Sequence, residues 1–348
     1  MGWAQKKNSH SMTSNWTSQD PRTRNLYQRI IDRIQVHPIV PGKPVPIHIK
    51  TDKMPYMSPM SQHLFIISYA AVPMALHQAY CTSTGYMAGK WACCLHGNHY
   101  SRDPLLRRLI HRHGCLDGDK SDRDGISSAG AGRIVRALPE AAILRYALAI
   151  CITYDADIAP LEAMRDTAYW PSFFTKLCLY GVILDFWFYG YHRACHEIPF
   201  LWKYHRTHHL TKHPTAIMSI WADNEQEIVD MIIIPFLTFA TLCSIGLSLD
   251  FYEWWMCSAY VTYSEILGHC GLRVHANTPS PIMWLLKFWD ADIAVEDHDL
   301  HHRMGWKKSF NYGKQTRVWD NLFSSSAPRV EAKESNVDYE NVIWMPPF

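Results

Sequence analysis

Three histidine clusters constrain this chain more than any other feature: His192-x-x-x-His196, His205-x-x-His208-His209 and His298-x-x-His301-His302. Spacings of three and four residues bring side chains together on one face of a helix. Imidazole is the commonest side-chain metal ligand and suits iron, zinc and copper alike. The clusters therefore predict helices that converge on a shared metal site. One tetrahedral zinc takes four ligands, and seven histidines in three clusters suffice for two ions. The chain is expected to fold around a dinuclear centre. A lone histidine is more often a surface or core residue, but scattered residues do not repeat H-x-x-H-H twice, even in a chain with 20 histidines.

The second constraint is apolar length. Residues 54–89 contain no Asp, Glu, Lys or Arg, and residues 231–249 form another uncharged run long enough to cross a bilayer. Residues 254–264 follow closely and suggest the second arm of a membrane hairpin. Residues 141–154 and 177–191 are weaker candidates, interrupted by Arg145 and Asp185. A charge such as Asp185 inside an apolar span needs a pairing or functional reason. The expected fold class is all-α: an integral membrane helical bundle of about four transmembrane helices with a histidine-rich cytosolic metal-binding cap.

Four regions follow. Residues 1–53 read as a polar N-terminal tail and 54–170 as the N-terminal membrane helices, with a charged, glycine-rich loop at 115–132. Residues 171–323 carry the three boxes, and 324–348 read as a peripheral C-terminal tail. The ten cysteines have no C-x-x-C pair, with Cys93 and Cys94 adjacent, which favours reduced thiols. A formal charge of +2 argues against a nucleic-acid partner. The chain carries no P-loop, Rossmann glycine pattern or nucleophile elbow.

His269 and His275, in G-H-C-G-L-R-V-H, follow the apolar segment and would complete a set of ten ligands, five per ion. His213, before Pro214, is set aside. Zinc would accept the imidazoles but offers no redox chemistry, whereas iron with open positions can activate oxygen. Soluble di-iron bundles use glutamates with E-x-x-H, which is missing from these boxes.

The boxes, with Gly268-His269-Cys270-Gly271, Asn311-Tyr312-Gly313 and Trp319-Asp320 in order, resemble the fatty acid hydroxylase superfamily, which includes sterol desaturases, C-4 sterol methyl oxidases and sphingoid-base hydroxylases. The likeness spans roughly residues 171–323. It implies a multi-pass enzyme of the endoplasmic reticulum membrane that holds two iron ions (Fe) and uses O2. Its reaction would be hydroxylation or desaturation of an unactivated C–H bond in a hydrophobic lipid, sterol or terpenoid-like substrate. By motif matching, His192, His196, His205, His208, His209, His269, His298, His301 and His302 carry over as metal ligands. No catalytic residue is expected beyond the metal centre. The chain departs from many relatives at Ala222-Asp223-Asn224-Glu225, where they carry His-Pro-x-Glu, and at Gly271-Leu272-Arg273, where they often carry Gly-Tyr. These departures make a specialised natural-product oxidase or isomerase of the same fold an alternative.

No flavin, nicotinamide or haem motif is visible, so electrons must come from a separate donor such as cytochrome b5 and its reductase. Lys203, Arg206, Lys212, Lys307, Lys308 and Lys314 offer a basic docking face. Tyr191, Trp202, Tyr204, Trp221 and Trp289 are candidate pocket walls, with packing the commoner role for each. Two rivals come from other classes. A membrane metal transporter would place its ligands within the apolar spans, and a zinc hydrolase would need a carboxylate such as Glu197 or Asp299 beside its metal.

Overall fold

The computed structural model describes residues 12–34, 37, 39, 40, 42–84 and 103–346. Cys93, Cys94 and the end of the first apolar stretch, 85–89, lie outside them. In chain order the elements are α1 (Leu26–Ile34), β1 (Met54–Met57), α2 (Pro59–Thr84), α3 (Asp103–His113), α4 (Ala131–Thr153), α5 (Pro160–Ala163), α6 (Tyr169–Glu197) and α7 (Pro199–His205). Then come α8 (Asn224–Ser244), α9 (Phe251–His269), α10 (Met283–Phe288), α11 (Val295–Met304), α12 (Val318–Leu322) and β2 (Val337–Ile343). The described residues are mostly helical. The cysteines among them are free thiols.

Each apolar run became a long helix, and α9 is the one the others surround. All but three of its nineteen residues are buried. Its start is fixed by a capping box, in which Asp250 accepts from the Glu253 amide and Glu253 accepts from the Asp250 amide. α6 runs parallel to it: Lys176 pairs with Glu253 (2.8 Å) at one end, and the two abutting histidine groups, one with His192 and His196 and the other with His269, lie at the other. α2 runs antiparallel, with Gln62 and His63 against Tyr263 and Tyr260, and Ala70 against Trp255. α4 and α8 are antiparallel as well, through Tyr146 on Trp255 (4.3 Å) and Phe239 stacked on Trp254 (4.7 Å). α8 widens into a π-helical turn at Val229–Ile233, just before Pro235, which has no amide to donate.

Among the described residues two helices, α2 and α8, are long and apolar enough to cross a membrane, and only 28 % and 22 % of their apolar windows are buried. They turn their side chains outward. Residues 254–264, expected as the second arm of a membrane hairpin, form the middle of α9, which returns antiparallel to α8 but is enclosed by the other helices. Apolar composition alone does not separate a lipid-facing helix from one enclosed by other helices.

The two ends read as tails are built into the fold. Trp16 is 1 % exposed, donates from Nε1 to the Ile126 carbonyl (2.8 Å), and belongs to a core with Ile31, Ile134 and Ile217. β2 pairs in parallel with β1, Met54 opposite Val337 and Met57 opposite Ile343, across a register shift after Pro55. Their partners lie hundreds of residues away, where no local pattern reports them.

Removing a large buried side chain from α9 is expected to cost about 3–5 kcal/mol. Trp254→Ala should therefore lower the thermal unfolding temperature of detergent-purified protein markedly, whereas Trp344→Ala, at 62 % exposure, should leave it nearly unchanged. Equal effects would contradict a central α9.

Candidate metal centre

The clusters arrive from four directions. His192 and His196 stand one turn apart near the end of α6. Pro199 starts α7, which ends at His205, and a 3-10 turn over His208–Leu210 carries His208 and His209. His269 is the last residue of α9, and α11 holds His298, His301 and His302. These nine residues fall into two groups: His192, His196, His205, His209 and His301, and His208, His269, His298 and His302. Within each group the candidate ligand atoms lie within 4.8 Å of one another. The groups abut, with the His209 and His302 rings stacked at 4.8 Å.

Hydrogen bonding sets which nitrogen faces inward. A carbonyl only accepts, so an Nδ1 bonded to one must carry the proton, leaving a lone pair on Nε2. Nδ1–H donates from His192 to Tyr312 (2.8 Å), from His196 to Trp306 (2.7 Å), from His208 to Trp221 (3.2 Å) and from His269 to Glu265 (2.8 Å). It donates likewise from His301 to Phe310 (2.6 Å) and from His302 to Thr211 (3.0 Å), all to backbone carbonyls. His205 donates to the side-chain oxygen of Gln226 (3.0 Å). Nε2 of His192, His196, His205 and His302 is buried without a hydrogen-bond partner. The Nε2 atoms of His209 and His301 face each other at 3.0 Å, as do those of His269 and His298. Buried ring nitrogens left without a partner, or crowded Nε2 to Nε2, cost free energy. A cation at the centre of each group removes both penalties, and ring–carbonyl bonds of this kind are what orient metal-ligating histidines. The donor set fits a metal.

Burial first, then neighbouring imidazoles, hold His205, His208, His209, His298, His301 and His302 well below the usual histidine range. They are neutral at physiological pH, the form that binds metal.

A loop after α11 supplies much of the orientation. Asn311 adopts a left-handed conformation (φ 52°) and donates from its side chain to the Asp297 carbonyl. A Cβ on Gly313 would collide with the Thr316 carbonyl. Asp320 accepts from the amides of Tyr312 (2.9 Å) and Gly313 (2.7 Å). Asp185, the charge inside an apolar run, accepts from the amides of Lys314, Gln315 and Thr316 and from the Thr316 hydroxyl. The loop so fixed aims the Phe310 and Tyr312 carbonyls at His301 and His192. Only the resemblance had marked Asn311, Gly313 and Asp320.

The outward face of α11 rests on buried charges. Asp299 pairs with Arg123 (2.6 Å) and Arg303 (3.3 Å), and Glu296 pairs with Arg303 (3.1 Å) and accepts from the Val330, Glu331 and Ala332 amides. Glu331 in turn binds Arg273 (3.2 Å). Arg123 comes from the loop at 115–132 and Glu331 from the supposed C-terminal tail, so the sequence carried no local signal for either.

Several expected residues stand elsewhere. His275 joins neither group: its backbone pairs with Pro55 and Met57 and its ring lies against Tyr56. His213, which the sequence reading set aside, bonds Asp117 (3.1 Å). Glu197 pairs with Arg193, and Asp299 with arginines, so neither carboxylate suggested for a hydrolase belongs to a histidine group. Lys212 donates to the Gly305 carbonyl (2.6 Å) and Lys314 pairs with Glu265 (2.6 Å), which removes both from the basic face and leaves Lys203, Arg206, Lys307 and Lys308 exposed. Trp202 packs on the rings of His196 and His209, while Trp289 is 63 % exposed and walls no site. His269 and His298 border a cleft lined also by Ser264, Leu267, Ile293 and Lys314.

The fatty acid hydroxylase profile matches residues 177–325. A fatty acid hydroxylase, vlmA, of Lecanicillium sp. is 35 % identical over 337 residues, 92 % of each chain. An alkylglycerol monooxygenase of Xenopus tropicalis is 25 % identical over 60 % of this chain and 42 % of its own. Methylsterol monooxygenase 2-1 of Arabidopsis thaliana is 27 % identical over 45 % of this chain and 57 % of its own. No solved structure matches the chain.

Because these imidazoles have depressed pKa values when folded, the metal-free unfolded chain binds more protons below about pH 6.5. Stability then rises with pH, and is lost as pH falls from about 6.5 toward the folded pKa values. Metal-stripped protein should show a melting temperature that drops steeply between pH 7 and pH 5. A flat profile would contradict neutral, clustered imidazoles.

Proposed function

The chain belongs to the fatty acid hydroxylase family, and on that premise we propose that it is a membrane-bound di-iron oxygenase acting on an unactivated C–H bond of a fatty acyl chain. The observation that carries this reading is the pair of histidine groups, nine inward-facing imidazoles with no carboxylate among them. Hydroxylases and monooxygenases of lipids are its relatives, so the chain is a lipid-modifying oxidoreductase. Two irons, an acyl substrate and an external electron source are the finer parts of the proposal.

His192, His196, His205, His209 and His301 would hold one iron, and His208, His269, His298 and His302 the other. The bound pair supplies O2 activation and C–H cleavage, chemistry that protein side chains lack. The chain's part is positioning. The Nδ1–H bonds lock the rings, Trp202 covers the five-histidine group, and the narrow cleft beside His269 and His298 would be where the substrate carbon approaches. Leu267, Ile293 and Val295 on its walls exclude water. Electrons would enter from an acidic carrier such as cytochrome b5, served by its reductase, docking on Lys203, Arg206, Lys307 and Lys308.

Membrane crossing is proposed for α2, α4, α6 and α8, with α9 enclosed among them and returning the chain from the far end of α8 to the cap, in the endoplasmic reticulum with the histidine cap facing the cytosol. Support comes from their lengths and from exposed apolar residues such as Leu76 on α2, Ile143 on α4, Phe174 on α6 and Phe236 on α8. The domain reading, with the oxygenase unit over 171–323, is carried forward in the same sense.

The test is metal content of detergent-purified protein beside His301→Ala and His208→Ala, one change in each group. About two irons per chain in the parent, at least one lost in each variant, and O2-dependent hydroxylation of a fatty acid are expected. Stoichiometric zinc without iron, persisting after anaerobic iron loading, would overturn the reading.

A further inference from the structure

Three strongly exposed aromatic side chains of the cap sit together on one excursion of the chain, residues 279–291. Trp284 is 71 % exposed, Phe288 77 % and Trp289 63 %, with Lys287 exposed beside them. The excursion is an ordered hairpin. Its legs are joined by the Thr278 amide donating to the Ile293 carbonyl (3.0 Å) and by Asn277 donating to Asp292 (2.5 Å). Its tip is α10, which turns back through Asp290 at φ 51°. α10 buries Met283 and Leu286 and turns its large aromatics out.

The position of this tip identifies its partner. The Arg317 amide donates to Ala291 (2.8 Å) and the Asn321 side chain to Asp290 (2.9 Å), which fastens the hairpin to α12. α12 lies low on α6: Trp319 donates to the Val182 carbonyl (2.9 Å) and packs on Phe186 (4.9 Å). Val182 precedes His192 by ten residues, so it lies about 15 Å along the helix toward the apolar body of the bundle. On the other side, Lys287 sits over Tyr56, just before α2 begins. The tip is therefore fastened between α12, near which Phe186 and Leu322 are exposed, and the start of α2, where Met60 and Leu64 are exposed. Tryptophan and phenylalanine beside lysine is the composition that seats protein at a bilayer interface.

We propose that the 279–291 hairpin is a foot embedded in the membrane interface. Its legs contribute Thr278, Ile293 and Ala294 to the wall of the cleft that reaches His269 and His298. With the foot in lipid, the cleft mouth lies against the bilayer, and a hydrophobic substrate enters from the membrane rather than from water. The partner is a phospholipid surface, and the inference rests on the membrane crossing proposed above.

The full chain, reconstituted in phosphatidylcholine nanodiscs, tests this with the photo-crosslinker p-benzoylphenylalanine placed singly at Phe288, at Ile67 on the exposed face of α2, and at Phe200 on the cap beyond the histidines. Mass spectrometry of the irradiated protein is expected to show lipid adducts at positions 288 and 67, several-fold above position 200. Adducts at position 67 with none at 288 would overturn the foot and leave the crossing intact. Adducts at neither would overturn the crossing too. A crosslink from position 288 to a second chain would overturn the foot by making this face a subunit interface. Equal lipid labelling at all three positions would overturn it by showing no selectivity.

Discussion

Nine imidazoles turned toward one another are the constraint that the rest of this structure serves. Each ring must be neutral, must present Nε2, and must be held there although its neighbours repel it. Water cannot relieve the crowding, because the groups are buried. The protein meets this requirement from behind. Six Nδ1–H bonds run to backbone carbonyls and a seventh to Gln226, so the orientation of the rings is tied to the path of the main chain. A main chain that carries such a task must itself be rigid, and the layers around the centre supply that rigidity.

Two layers do so by different physics. On the α6 side, Asp185 and Asp320 collect backbone amides of the loop over 312–316, an arrangement in which buried carboxylates are satisfied by donors rather than by cations. On the α11 side the buried charges are paired, with Arg123, Arg303 and Arg273 set against Asp299, Glu296 and Glu331. Ion pairs so enclosed contribute little net stability over apolar packing, yet breaking one leaves an uncompensated charge. Such an arrangement favours a single register for α11, and therefore for His298, His301 and His302. The remaining apolar surface faces outward, on the long helices and on the aromatic hairpin over 279–291.

Legibility in the sequence followed the range of the interaction. Ligands came through because a helix repeats at short spacing, and His192 with His196, or His301 with His302, announce themselves within one turn. His269 was readable only with the help of its position after an apolar segment, and His275, six residues on, was indistinguishable from it by that criterion. The structure turns His275 into the small sheet instead, since its backbone continues the edge beside β1. The long helices were legible as apolar runs, but residues 254–264 and 231–249 looked alike, although one is enclosed by protein and the other turns outward.

By itself the sequence determined the helical character of the chain, the histidine clusters that make up most of its donor set, and the family resemblance carried by those clusters. Spacing and composition are local properties, and local properties survive in a linear text. Only the tertiary structure decided how nine histidines divide into five and four, which nitrogen of each ring faces inward, and which charges stand behind them. It also drew in Trp16, Arg123 and Glu331 from segments that read as tail or loop. Many of those outcomes depend on contacts between residues far apart in the chain, such as Trp16 with Ile126 and Arg123 with Asp299, made only when burial leaves a buried donor or charge no other partner.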